Sequence, residues 1–205
     1  MTEALVAARD AALALLLAEP EFPGWSLPAL AAVLRHHGQA EAEAARLFPG
    51  GALAMIAASS ARADRLMVER ADLAGRGLAG RVRALIAARL AVMRPEKEAV
   101  RRALGRLARR RHAPVAARLL AATVDAIWHA AGDEATDFSW YTKRATLAGI
   151  YGATLLYWLT DASADDVATL ACLDRRLAGL KTLGQMRARL RAGLPVARGN
   201  AASSS

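Results

Sequence analysis

The sequence predicts an all-α protein, on three observations. Apolar residues make up 55% of the chain and are dominated by Ala and Leu, while the strand-favouring aromatics make up 5%, a balance that suits helices. Apolar positions recur at steps of three and four over 81–93, 147–158 and 167–180, which is the period of one helix face. Clusters of Pro and Gly at 20–24, 49–51 and 75–80 separate these stretches, as helix-stopping residues do. The 205 residues suffice for one medium domain, or a small one beside a larger one, with a sizeable core.

Taken in order, the first helix is expected over about 2–18, burying Leu5, Leu13, Leu16 and Leu17, and P-E-F-P-G-W ends it. Ser26 is a good N-cap for a second helix to about His36, with Gly38 placed to close it. A short third helix over 40–47 completes a helix-turn-helix arrangement. The third helix reads A-E-A-E-A-A-R-L, so Glu41 and Glu43 would face a polyanion with Arg46 as their one counterweight. DNA binding is disfavoured, because contacts to phosphate supply most nonspecific affinity.

A fourth helix over 50–71 carries Leu53, Ile56, Leu66 and Val68, and a glycine-rich break follows. The fifth, over 81–93, sets Val82, Leu85, Ile86, Leu90 and Met93 against Arg81, Arg83 and Arg89. Pro95 suits the first turn of a sixth helix, which bears Lys97, Arg101, Arg102, Arg106, Arg109, Arg110 and Arg111. The chain's +9 charge is concentrated here: residues 62–118 hold sixteen Lys/Arg and five acids. Such a run reads as a solvated face, a contact for anionic lipid headgroups, or a site for an acidic protein. Nucleic acid is less favoured without aromatics for stacking.

The seventh helix, over 113–131, bears Leu119, Leu120, Val124, Ile127 and Trp128. In the eighth, Asp137 stands as N-cap, and Leu147, Ile150, Tyr151, Thr154, Leu155 and Trp158 share one face. Lys143 and Arg144 oppose the dipole of its first turn. Either Asp133, Glu134 and Asp137 neutralise them, or W-Y-T-K-R is a docking surface. Ser163, with Asp166 reaching back as in a capping box, starts a ninth helix with a narrow stripe of Val167, Leu170, Leu173, Leu177 and Leu180. Beyond it, Leu183, Met186, Leu190 and Leu194 oppose Arg187, Arg189 and Arg191, the pattern of a short membrane-surface helix, and the last seven or so residues are expected to be disordered.

No apolar run reaches the roughly 18 residues of a membrane span. The acidic start lacks the character of a secretion signal. The single cysteine, Cys172, fits a reducing compartment and reads as an inert core or boundary thiol. His36, His37, His112 and His129 lie at no metal-ligand spacing, and no catalytic or phosphate-binding constellation is present. A non-enzyme without cofactor or metal is expected.

The run D-F-S-W-Y-T-K-R-A-T-L-A-G-I-Y-G-A-T-L-L-Y-W-L-T-D (137–161) resembles the signature of the ubiquinone-biosynthesis accessory family called coenzyme-Q-nine. F-P-G-W-S, L-F-P-G-G and L-D-R-R-L extend the likeness over most of the chain. The resemblance implies a TetR-repressor-like bundle of about nine helices with a degenerate N-terminal helix-turn-helix (1–50), a ligand-binding and dimerisation domain (51–183) and a basic stub (184–205). It further implies a lipid-binding protein that presents a polyprenylated quinone intermediate to demethoxyubiquinone hydroxylase. Relatives in eukaryotes carry a longer C-terminal amphipathic helix than this stub.

On that reading Asp137, Trp140, Tyr141 and Arg144 form the hydroxylase-docking patch. Leu85, Leu120, Ile127, Leu147 and Tyr151 line the lipid pocket. Leu155, Trp158, Leu170, Leu173 and Leu177 build a homodimer interface. The expected location is cytoplasmic, peripheral on the inner membrane. The competing class is a TetR-type ligand-responsive transcription regulator.

Overall fold

In a computed structural model, residues 2–132 and 139–178 are described, and every regular element among them is helical. The order is α1 (Glu3–Ala18), α2 (Leu27–His36), α3 (Ala42–Leu47), α4 (Gly51–Arg70), α5 (Leu78–Met93), α6 (Lys97–Leu107), α7 (Ala113–Ala131) and α8 (Ser139–Thr160). A ninth helix, α9, covers 167–178. Residues 133–138, with most of the connector and the expected N-cap Asp137, and everything from 179 onward, including the basic stub, lie outside the described residues.

Local chemistry accounts for most boundaries. Ser26 caps α2 by accepting from the Ala29 amide at 3.2 Å. Gly38 closes the same helix at φ +72°, a left-handed turn open mainly to glycine. Gly132 does the same for α7 at φ +80°. The break at 19–26 is anchored and not loose: Phe22 and Trp25 are buried, and the Trp25 indole donates to the Ala99 carbonyl of α6 at 2.8 Å.

Three expectations need correcting. Asp166 does not reach back to cap α9; it is buried against Arg94 at 2.8 Å. The capping carboxylate is Asp161, which accepts from the Ser163 amide and from both the amide and hydroxyl of Thr169. Val68 and Val167, expected on apolar faces, are exposed. Arg89, expected on the polar side of α5, is only 3% exposed.

The core has two lobes. The first is built from α1, α2, α3, the start of α4, and α6, around Leu13, Leu16, Leu34, Phe48 and Met55. The second gathers the end of α4 with α5, α7, α8 and α9, around Leu85, Ile86, Ile127, Trp158 and Leu173. α4 and α7 run through both, so any space between the lobes is walled by these two helices together with α6 and α8.

The basic helix is partly committed to this frame. Lys97 donates to the Asp161 carbonyl at 2.6 Å and lies 4.9 Å over the Trp158 ring. Arg101 donates to the Leu159 carbonyl. These cations satisfy carbonyls at the C-terminal end of α8, where positive charge is favoured. Arg109, Arg110 and Arg111, past the end of α6, are exposed.

Candidate functional site

Between the lobes lies an apolar cavity of about 300 Å³. Its walls are aliphatic: Ile56 from α4, Val100, Leu104 and Leu107 from α6, Leu119 and Leu120 from α7, and Leu155 and Leu156 from α8, with Trp25 from the α1–α2 connector. Leu156 is 63% exposed, so the lining continues to the surface.

Polar groups enter the lining from Ser59 and Ser60 of α4, Arg89 of α5, Glu96 just ahead of α6, Thr123 of α7 and Tyr151 of α8. Arg89 organises most of them. Its Nε donates to Asp64 at 2.7 Å, one terminal nitrogen to the Tyr151 hydroxyl and to Met93 Sδ, and the other to the Ser60 and Thr123 hydroxyls at 3.0 and 3.3 Å. The Thr123 hydroxyl donates to the second Asp64 oxygen at 3.2 Å. A buried charge is tolerated only when paired and fully hydrogen-bonded, and this guanidinium is both.

Burial works against the Arg89 cation, yet the Tyr151 and Asp64 oxygens beside it outweigh that and hold its pKa above the usual arginine value. Burial likewise pushes the Tyr151 phenol up, with Asp64 adding and Arg89 opposing. At neutral pH the phenol therefore keeps its proton, and Asp64 is the counter-ion of Arg89.

Of the residues expected to line a lipid pocket, Leu120 and Tyr151 line this cavity. Leu85, Ile127 and Leu147 are buried in the second lobe and pack its core. Ser59, Ser60, Arg89 and Thr123 were not expected. The register of α5 could have flagged Arg89, which stands four residues from Leu85 and from Met93 and so on their face.

In the docking patch, Tyr141 is 70% exposed. Arg144 reaches across to Asp125 of α7, and Lys143 lies 5.9 Å from the Trp128 ring. α7 thus provides an acid for Arg144 that the sequence reading had sought in the connector. Trp140 lies in the first turn of α8, and its side chain falls outside the description.

For the dimer interface, Trp158 and Leu173 are 0% exposed within the single chain, because the α8 and α9 faces that carry them are turned into the second lobe. They are unavailable to a second copy. Leu170 and Leu177 are half-buried, and Leu155 lines the cavity. Cys172 is buried, as expected, and accepts from Arg176. Among the described residues no His/Cys/Asp/Glu group is placed to hold a metal, and no helix is long and apolar enough to cross a membrane.

An all-helical chain with a short helix-turn-helix ahead of a cavity-bearing bundle has the TetR-regulator fold. A solved TetR transcriptional regulator from Nitrosomonas europaea superposes with a TM-score of 0.66 at 21% identity, covering 86% of this chain and 97% of that one. Residues 113–184 match the COQ9 family, so the chain carries the domain of that family, in agreement with the 137–161 signature. Among proteins similar to it are the mitochondrial ubiquinone biosynthesis proteins COQ9 of Xenopus tropicalis, 36% identical over 80% of this chain, of Rattus norvegicus, 34% over 78%, and of Homo sapiens, 32% over 78%. The chain spans about half the length of these relatives: 55% of the first and 54% of the other two.

Proposed function

We propose that this protein is a non-catalytic lipid-binding accessory factor of ubiquinone biosynthesis, which takes a polyprenylated quinone intermediate into the cavity between its lobes and presents it to demethoxyubiquinone hydroxylase. The observation that carries the reading is the cavity: aliphatic walls reaching the surface, and a few polar groups gathered around Arg89. Ligand sites are commonly mostly apolar with a few placed polar groups, in volumes of roughly 300–1,000 Å³. At about 300 Å³ the cavity suits a ring and the first part of a tail, the remaining isoprene units leaving past Leu156. The names of the COQ9 relatives, ubiquinone biosynthesis proteins, support the pathway.

The hydroxylase docks on the patch of Asp137, Trp140, Tyr141 and Arg144, for which the exposed Tyr141 ring beside charged side chains speaks, as aromatic residues and arginine are typical interface anchors. Tyr141→Ala is expected to weaken capture of purified hydroxylase at least tenfold with an unchanged circular dichroism spectrum; undiminished capture would remove the patch from the reading. The place of work is the cytoplasmic face of the inner membrane, where such an intermediate resides and where the exposed arginines 109–111 would meet anionic headgroups.

The regulator reading is favoured by the fold alone. Against it, α3 is six residues long and its Glu43 is paired with Arg46, while Glu41 pairs with Arg35. Arg46 of α3 and Arg35 of α2 are both spent on neighbouring acids. A gel shift at physiological salt is expected to show no sequence-selective binding.

A further inference from the structure

Two hollows meet at the connector between α1 and α2. On one side is the apolar cavity of about 300 Å³, which Trp25 helps to wall. On the other is an open cleft of about 650 Å³, bounded by residues 19–23 of the connector and by Pro95, Glu98, Ala99 and Arg102 around the start of α6. Glu96 lines both. Phe22, on the cleft side, and Trp25, on the cavity side, meet edge to face with ring centroids 5.1 Å apart. The partition there is one pair of rings thick, beside the Glu96–Arg62 ion pair.

Specific contacts to α6 hold this partition shut. The Trp25 indole donates to the Ala99 carbonyl at 2.8 Å. Arg102 donates to the Phe22 carbonyl at 3.1 Å and stands 5.8 Å over the Phe22 ring, and its half-exposed side chain is shared with Glu98. The connector is weakly braced from within. Pro20 and Pro23 have no amide hydrogen to donate, and Gly24 sits at φ +116° with open space where a Cβ would stand, as a hinge position requires. Local opening costs only the contacts that the moving segment makes. Here those are the burial of two rings and the hydrogen bonds to Ala99 and from Arg102.

We infer that the α1–α2 connector is a door in the cavity wall: turning about Gly24, it withdraws Phe22 and Trp25 from α6 and joins the apolar cavity to the cleft. The cavity then has an opening separate from the one at Leu156, since among the described residues α8 contributes nothing to the cleft. The two openings differ in chemistry. Leu156 offers an apolar edge, whereas the cleft sets Glu19, Glu21, Glu96 and Glu98 against Arg102 and repels an anionic bilayer. The door is a property of the wall and does not depend on the ligand. On the carrier reading it separates the side that loads from the side that delivers.

Thiol labelling of the full chain tests it. Ala103 lines the cavity and is 8% exposed, so Ala103→Cys, with Cys172→Ser removing the native thiol, places a sensor behind the door. Ser59→Cys, near-isosteric and on the same cavity wall, serves as an independent second sensor. With N-ethylmaleimide, the labelling rate tracks the open population when closing outpaces reaction. Arg102→Met keeps both rings of the partition and removes the mooring of Phe22, and Trp25→Phe keeps an aromatic wall and removes the donor to Ala99. Each is expected to speed labelling about fivefold, the scale of one lost hydrogen bond. Amide exchange of 19–26 should quicken alongside, with that of α4 and α6 unchanged. An unchanged labelling rate in either variant would overturn the door, as would acceleration matched by faster exchange throughout α4 and α6, which is general loosening. Neither result bears on whether a lipid binds, so the door and the carrier reading fail separately.

Discussion

Arg89 shows how one side chain can tie four helices together. It joins α5 to Ser60 and Asp64 of α4, Thr123 of α7 and Tyr151 of α8. Arg89→Leu strands the half-buried Asp64 carboxylate, and a loss of about 3 kcal/mol of unfolding free energy in urea is expected. Adding Asp64→Leu should restore a large part of it, because the two changes couple. Asp161 invites a different test. Hydrogen bonds from the side chains of Ser163 and Thr169, opposed by modest burial and aided by the amides of the same residues, hold its carboxyl well below the usual aspartate range. A depressed carboxylate contributes stability that is fully present above its unfolded value near 4 and is lost as pH falls toward the folded value. Amide-exchange protection of 167–178 should therefore decline on acidification below about pH 4, and Asp161→Asn should remove that dependence. Both residues mark where sequence reading stops. The helical phase that buries Arg89 is visible in the sequence, but its partners lie 25, 29, 34 and 62 positions away. A lone arginine on an apolar face cannot announce them.

Helices were the most legible level, because caps and breakers act within a few residues. Ser26 as the N-cap of α2 and the 113–131 span of α7 follow from the sequence directly. Replacing Ser26 by Ala is expected to cost about 1 kcal/mol, read as a shift of the denaturation midpoint. α5 starts one turn earlier than the glycine-rich break suggests, since tertiary packing overrides weak local preference. The basic helix was the least legible. A run of cations looks the same whether it faces solvent or caps a neighbour, and Lys97 and Arg101 hold the carbonyls of Asp161 and Leu159. The surface charge available for a membrane or an acidic protein is thus shifted toward the α6–α7 corner.

At the scale of the whole molecule, two lobes share α4 and α7, and the cavity is the space their packing leaves unfilled. A ligand pocket was an expectation of the family resemblance and not of composition, and its position depends on how the lobes meet, which no local pattern encodes. The same holds for a homodimer: with Trp158 and Leu173 turned inward, a second copy that packs on α8 and α9 would meet the exposed Tyr157 and Val167. A dimer through that face should sediment as a monomer after Tyr157→Glu; sedimentation unchanged by the substitution would exclude the face. The cavity itself can be filled from one position. Gly152 lines it, and a Cβ added there meets nothing within 4 Å. Because leucine is also the better helix former by roughly 0.5–1 kcal/mol, Gly152→Leu should not destabilise the fold. Binding of a farnesyl-substituted dimethoxybenzoquinone to wild-type protein and to Gly152→Leu, measured side by side with their thermal midpoints, is the most direct test. The variant is expected to melt at or above the wild-type temperature and to lose at least tenfold in affinity, whereas equal binding by a folded variant would mean that the lipid sits elsewhere.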